Sequence, residues 1–82
     1  MRLDKYLKVS RIIKRRSVAN EVCHLGRVKI NDKEAKPGSE VKVGDVLSIK
    51  MGERRICIRV LAVHETVSKD DASKMYETVG EG

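Results

Sequence analysis

Apolar residues recur at helical spacing near the start of the chain. Leu3, Tyr6 and Leu7 stand at positions i, i+3 and i+4, which places them on one face of a helix. This stripe predicts a helix over residues 3–13. Asp4 falls in its first turn, where the helix dipole favours a negative charge. Basic residues recur at every third position along another face of the same helix: Lys5, Lys8 and Arg11.

A second helix is predicted after a basic run at residues 14–16. Ser17 is the expected N-cap, because a hydroxyl can accept a hydrogen bond from the free N–H groups of the first turn. Gly26 is placed to end the helix in a left-handed conformation. Three apolar residues at i, i+4 and i+7 form the expected buried face: Val18, Val22 and Leu25.

Polar and apolar residues alternate at residues 27–30, as a half-buried strand requires. A short helix is also expected within residues 70–77. The pattern predicts an α+β fold, in which two N-terminal helices pack on a small curved sheet of about four to five short strands. Strands are predicted over residues 27–30, 46–50 and 54–63, with turns at 31–33, 37–39, 44–45 and 52–53.

The length of 82 residues suits one domain, and we expect it to cover residues 1–63. Residues 64–82 then form a polar, acidic C-terminal extension. Residues 1–36 carry a net charge of +7 within a total of +6, whereas residues 64–82 carry −3. A basic excess confined to the N-terminal part predicts a polyanionic partner.

Enzymatic constellations are not found in the sequence. His24 and His64 have no neighbouring residues that would complete a catalytic triad, and the glycines are scattered at turn positions. Cys23 and Cys57 are far apart and form no zinc motif, so two reduced thiols are expected. We therefore expect no enzyme activity, no catalytic residues, no metal and no cofactor. No apolar run approaches membrane-span length, and a cytoplasmic protein without membrane contact is expected.

Residues 14–16, Lys-Arg-Arg, carry the clearest candidate chemistry. Lysine and arginine neutralise phosphates, and an arginine fork can bind one phosphate through two hydrogen bonds. The N-terminus of the second helix adds free N–H groups at the same place. A solvated charge run at a helix junction is the alternative, and composition leaves both interpretations open.

Stacking platforms for single-stranded bases are scarce, because Tyr6 and Tyr76 are the only aromatic residues. Tyr6 also lies on the apolar face of its helix. Recognition by shape and backbone is therefore expected, which favours folded RNA over a single strand.

Four sequence blocks stand in order along the chain: Arg2-Leu3-Asp4-Lys5-Tyr6-Leu7, Arg16-Ser17-x-Ala19, Gly26-x-Val28-x-Ile30-Asn31 and Val43-Gly44-Asp45. At these spacings they resemble a known family, the RNA-binding domain first recognised in small-subunit ribosomal protein S4, also called the alpha-L motif. The resemblance covers about residues 2–60 and implies the helix-and-sheet fold and RNA binding.

Within this family, the chain is similar to bacterial ribosome-quality-control factors that are related to the fifteen-kilodalton heat-shock protein. The resemblance implies binding to stalled large ribosomal subunits, with contacts to ribosomal RNA and to the P-site peptidyl-tRNA. It also implies support for alanine tailing of the nascent chain by the factor RqcH, on the same subunit, and action as a monomer. A subunit-recycling factor and a protein–protein adaptor that uses the acidic tail are the alternatives.

The resemblance also implies which residues contact RNA. Arg2 and Arg16 are the expected central contacts. Asp4 either orients one of these arginines or caps its helix, and the cap is the preferred interpretation. Val18, where many family members have a polar residue, is expected to pack inward. The remaining expected RNA-binding residues are Lys5, Lys8, Arg11, Lys14, Arg15, Ser17, Asn20, Arg27, Lys29 and Asn31.

Overall fold

A computed structural model of the chain describes residues 1–65 and 67–81. Within these residues, helices pack on one antiparallel sheet with the strand order β2-β1-β3-β4-β5. This arrangement confirms the predicted α+β class. No helix of the described part is long and apolar enough to cross a membrane. The elements are α1 Leu3–Val9, α2 Arg16–His24, β1 Val28–Ile30, β2 Lys33–Glu34, β3 Val46–Met51, β4 Arg54–Val60, α3 Lys69–Ala72 and β5 Tyr76–Glu81.

Helix α1 buries the predicted stripe of Leu3, Tyr6 and Leu7, each of which is fully shielded from solvent. The helix ends at Val9, so the prediction of a helix to residue 13 was wrong. The reason is the left-handed conformation of Arg11, whose φ of 63° no right-handed helix can contain. Arg11 therefore leaves the basic face on which it was predicted to lie.

Helix α2 begins two residues earlier than predicted and buries a different face. Its N-cap is Arg15, so the assignment of Ser17 as N-cap was wrong. Ala19 and Cys23 are its buried residues. These side chains are small and four positions apart, so they let α2 pack closely against its neighbours. Two residues of the face predicted from the sequence are exposed: Val18 is 42% exposed and Leu25 is 58% exposed. The expectation that Val18 packs inward was therefore wrong.

Gly26 ends α2 as predicted. Its φ is +72°, its N–H donates to the Cys23 carbonyl at 3.0 Å, and the N–H of Arg27 donates to the Val22 carbonyl at 3.2 Å. These two bonds form the six-to-one and five-to-two pattern that closes helices on a left-handed glycine. A Cβ at this position would also overlap the carboxylate of Glu34. Glycine is therefore required for both the backbone conformation and the space.

The first hairpin joins β1 to β2 through Asn31 and Asp32. Both residues have positive φ, 50° and 68°, as a two-residue turn that follows the strand twist requires. The predicted turn at residues 31–33 is thus confirmed. The Asn31 amide ties this turn to the next loop, since it donates to Asp45 Oδ1 at 3.1 Å and accepts from the Val46 N–H at 3.0 Å.

The C-terminal segment joins the sheet instead of continuing as a helix. Ser68 caps the short helix α3, which ends at Ala72, so the helix predicted to residue 77 was wrong beyond that point. Tyrosine, threonine and valine then favour a strand, and β5 pairs with β4. Met75 is fully buried, and its carbonyl accepts a hydrogen bond from the Tyr6 hydroxyl at 2.8 Å. Of the predicted extension, residues 66 and 82 lie outside the described residues.

Candidate RNA-binding site

Asp4 is a buried carboxylate, 2% exposed, on which two arginines converge. Arg2 donates from Nε to Oδ1 at 3.2 Å and from Nη2 to Oδ2 at 3.4 Å. Arg16 Nη2 donates to Oδ1 at 3.5 Å, and Asn20 Nδ2 donates to Oδ2 at 3.3 Å. We call these four residues the arginine site. The structure thus brings together three predicted RNA contacts around one acid.

Asp4 orients the arginines and is not the principal cap of α1, contrary to the preferred interpretation from the sequence. The first N–H groups of the helix are satisfied by a loop: the Leu3 N–H donates to the Ser39 carbonyl at 2.8 Å, and the Asp4 N–H donates to the Pro37 carbonyl at 3.1 Å. The Asp4 carboxylate accepts one further N–H of this turn, that of Lys5, at 2.8 Å. Its remaining acceptor capacity holds the arginine site.

The charge of Asp4 is secured by its neighbours. Burial acts to raise the pKa of this carboxyl, but the hydrogen bonds from Asn20 and the Lys5 N–H, and the charges of Arg16 and Arg2, hold the pKa below its ordinary value. Asp4 is therefore ionised at neutral pH. The side chains of Arg2 and Arg16 remain 56% and 49% exposed, so their outer N–H groups are open to a phosphate.

The N-terminus of α2 lies next to this cluster, because Arg16 is its first residue. Its first turn contains no acid, and the N-cap Arg15 makes no side-chain capping bond. Lys14, Arg15 and Ser17 are exposed beside it. Free N–H groups, positive dipole and basic side chains therefore meet at one place, as the sequence predicts.

Three other predicted contacts lie on α1 or just after its end, near the C-terminal segment. The Lys5 ammonium forms an ion pair with Glu65, and this hydrogen bond and charge lower the pKa of the Glu65 carboxyl. Lys8 and Arg11 are exposed and flank the same glutamate in a shallow cleft. The acidic segment thus covers part of the predicted basic face.

Arg27 and Lys29 lie apart from the arginine site, on the face of the sheet that α1 and α2 leave open. Asn31 is exposed, but its amide is engaged by Asp45 and the Val46 N–H. Lys50 and Arg55 accompany Arg27 and Lys29, and the sequence interpretation missed them. The available signal was the hairpin register, which places these two side chains opposite each other across the turn at Gly52.

The two cysteines are free, as predicted. Burial, together with the negative charge of Asp4, raises the pKa of the Cys23 thiol to about 11, so this thiol is protonated at neutral pH. Cys57 is half-buried. Within the described part of the chain, no cluster of His, Cys, Asp and Glu side chains is arranged to hold a metal ion.

Three comparisons with known proteins bear on this site. Residues 1–47, which include the whole arginine site, match the model of the S4 domain family. A relative from Halalkalibacterium halodurans, named RQC P-site tRNA stabilizing factor, is 52% identical over 94% of this chain and 88% of its own. A relative of the same name from Streptococcus pneumoniae is 49% identical over 99% of this chain and 92% of its own. The trimeric structure of Vibrio cholerae heat shock protein 15 has a TM-score of 0.88 and 28% identity, over 96% of this chain and 81% of its own.

Proposed function

Because the chain belongs to the S4 domain family, we propose that it is a non-enzymatic RNA-binding factor of ribosome-associated quality control. It binds stalled large ribosomal subunits that carry peptidyl-tRNA. The observation that carries this proposal is the arginine site, in which Asp4 holds Arg2 and Arg16 with half of each side chain open to solvent. The names of the relatives from two bacteria support the assignment to a P-site tRNA.

Binding follows from the chemistry of the arginine site. Guanidinium groups already fixed by a carboxylate can engage a phosphate without first losing their side-chain freedom. The adjacent N-terminus of α2 adds N–H donors to the same anion. Base-stacking surfaces are scarce, so the protein recognises the backbone and shape of folded RNA. The bound elements are ribosomal RNA of the large subunit and the P-site tRNA.

In this role the chain acts in the cytoplasm as a monomer and keeps the peptidyl-tRNA in place while RqcH adds alanines to the nascent chain. The monomer is directly measurable, because light scattering coupled to gel filtration should return the mass of one chain, 9.2 kDa. A mass of three chains would contradict this part of the proposal and would match the trimeric heat shock relative.

Sedimentation of tagged protein through a gradient tests the proposal. The protein should travel with large subunits from cells in which translation is stalled, and Arg16→Ala should move it to the top of the gradient. Arg59→Ala is a matched control, because Arg59 is 50% exposed against 49% for Arg16 and its loss lowers the net charge equally. Absence of the protein from large-subunit fractions would contradict the proposal, as would equal effects of the two substitutions.

The subunit-recycling alternative is favoured by the structural similarity to heat shock protein 15. The two functions differ in the subunits that are bound. A recycling factor would remain on large subunits from cells that lack RqcH, and alanine tailing would be unchanged in cells without the factor. A quality-control factor is expected to be required for tailing.

The adaptor alternative loses support from the position of the acidic segment. Glu65 is paired with Lys5, and β5 is the edge strand of the sheet. Deletion of residues 64–82 is not a clean test, because it would remove the buried Met75. Charge-reversing substitutions on the exposed Asp70 and Glu77 are the better probe. An adaptor should then lose its partner, whereas RNA affinity should be kept or increased.

A further inference from the structure

The face of the sheet opposite the helices carries a shallow cleft of about 220 Å³ with four basic side chains. The turn at residues 25–26 closes one end. We call this feature the sheet cleft; its charged and polar lining residues are Arg27, Lys29, Ser48, Lys50 and Arg55. It contains none of the residues of the arginine site.

The backbone fixes the four cations on neighbouring strands. The Lys50 N–H donates to the Arg27 carbonyl at 2.8 Å, and Lys50 is the register partner of Arg55. Lys29 is two residues beyond Arg27 and is the register partner of Ser48. Side chains two apart on a strand share a face, and adjacent strands lie about 4.8 Å apart. The cations therefore form a compact group about two strand spacings wide.

Positive charge is in excess at the sheet cleft. The side chains of Arg27, Lys29, Lys50 and Arg55 are exposed, and within residues 1–65 and 67–81 none of the four makes an ion pair. Two carboxylates border the group: Glu34, the register partner of Lys29, lies against Gly26 at the rim, and Glu53 lines an adjoining cleft with Lys50 and Arg55. Four like charges in one cleft repel each other, so a multivalent anion that binds there relieves this repulsion.

The lining favours a nucleic-acid backbone over a protein surface. Protein interfaces have an apolar centre, whereas the only large apolar side chain of this cleft is Leu25, at one end. Two arginines and two lysines supply forked and point-charge donors for phosphate oxygens. Ser48 adds a hydroxyl between them, half-buried at the level of the sheet. Such a set suits successive phosphates of one RNA strand.

The sheet cleft is separated from the arginine site by the length of α2. Arg16 is the first residue of this nine-residue helix, and the cleft begins just after its last turn. At 1.5 Å per residue, the helix places roughly 13 Å between them. The two sites also face different directions, because Arg16 lies in the helical layer and the cleft lies on the outer face of the sheet.

We propose that the sheet cleft is a second binding site for the phosphate backbone of folded RNA, so that one chain holds two RNA segments on different faces. The inference rests on the proposed RNA-binding function and assigns a further surface to it. The protein then acts as a bridge, which fixes one RNA segment relative to the other.

The test counts short RNA hairpins bound per protein chain. A labelled hairpin of about six base pairs is a short rod at most about 20 Å long, and it occupies one site at a time because the two sites face different directions. Sedimentation velocity of the full chain should show two hairpins per protein. The double variant Lys50→Gln/Arg55→Gln should bind one hairpin, and Arg2→Ala/Arg16→Ala should bind one hairpin through the cleft. For the hairpin that the variant no longer binds, the slope of log affinity against log salt concentration in the wild-type protein should be roughly 1.4 to 1.8 in magnitude, which corresponds to about two phosphates.

Two controls keep the result specific. Lys69→Gln/Lys74→Gln removes the same charge from exposed positions outside both sites and should still bind two hairpins. Glu34→Gln removes the acid at the rim and should tighten the second binding step about threefold, which is the opposite sign. This variant also guards against a folding defect, because a damaged protein would not bind more tightly.

Each outcome decides the inference. One hairpin on the wild-type protein would overturn it, and so would two hairpins on Lys50→Gln/Arg55→Gln. Polyglutamate serves as a probe for an acidic protein partner. If the wild-type protein binds polyglutamate and Lys50→Gln/Arg55→Gln does not, while that variant still binds two hairpins, the cleft is assigned to an acidic protein. Failure of the proposed function looks different, since the wild-type protein would then bind no hairpin and Arg16→Ala would leave its sedimentation unchanged.

Discussion

Asp4→Asn separates the orientation of the arginines from their charge. The substitution keeps the size of the side chain but removes the negative charge on which Arg2 and Arg16 converge, at 3.2 and 3.5 Å. Two effects of opposite sign follow. The arginines lose their fixed positions, which weakens RNA binding, and a carboxylate disappears from the vicinity of the bound phosphate, which strengthens it.

The magnitudes decide the sign. Ordering one long side chain on binding costs about 0.5 to 1.5 kcal/mol, so releasing two arginines costs about 1 to 3 kcal/mol. The carboxylate would lie roughly 6 Å from a phosphate beyond the arginines, where two unit charges in water interact by about 0.7 kcal/mol, and salt reduces this to about 0.3 kcal/mol. The value for water applies because both arginines are about half exposed. RNA affinity should therefore fall by about 0.7 to 2.7 kcal/mol, roughly 3- to 85-fold.

Anisotropy titrations of a labelled RNA hairpin over a salt series provide the assay. Asp4→Asn should lower affinity without changing the salt slope, because no phosphate contact is lost. Arg16→Ala should lower the affinity and also reduce the slope by about 0.7 to 0.9. Asp45→Asn is the matched control, since it removes the same charge from a loop outside the arginine site. Binding by Asp4→Asn as tight as that of the wild-type protein would refute the orienting role.

The pH dependence, the helix end and the core give three further predictions. Because the pKa of Asp4 is lowered in the folded protein, its contribution to folding stability is present above about pH 4 and is lost as the pH falls through the folded-state pKa. The difference in urea midpoint between the wild-type protein and Asp4→Asn should therefore shrink from pH 7 to pH 3. Gly26→Ala should destabilise the fold by about 1 to 3 kcal/mol in urea unfolding, and added Glu34→Ala should recover only the steric part, because φ stays positive. Tyr6→Phe should cost about 1 kcal/mol, a fall in Tm of roughly 4 to 8 °C, since its hydroxyl donates to the Met75 carbonyl; no change in Tm would mean that this bond is not formed in solution.

Local chemistry explains which parts of the fold are predictable from the sequence. The buried stripe of α1 follows from spacing, and Gly26 and the Asn31-Asp32 turn follow from backbone conformations that few residues adopt. The buried face of α2 cannot be predicted from the spacing of apolar residues. Ala19 and Cys23 are less apolar than Val18, and they are buried because their small side chains allow close packing. The end of α3 and the start of β5 also escape prediction, because residues 70–77 suit a short helix as well as a strand, and pairing with β4 decides between them.

The arginine site is likewise predictable only in part, because some of its contacts join residues that are far apart in the sequence. Basic residues at positions 2 and 16 are visible as charge, and the family resemblance singles them out. Their shared partner is less visible, because an acid in the first turn of a helix has a sufficient local explanation as a cap. That explanation fails because the carbonyls of Pro37 and Ser39, more than thirty residues away, satisfy the first N–H groups of α1. The loop that caps the helix thereby frees Asp4 to hold Arg2 and Arg16, so a distant turn sets the geometry of the arginine site.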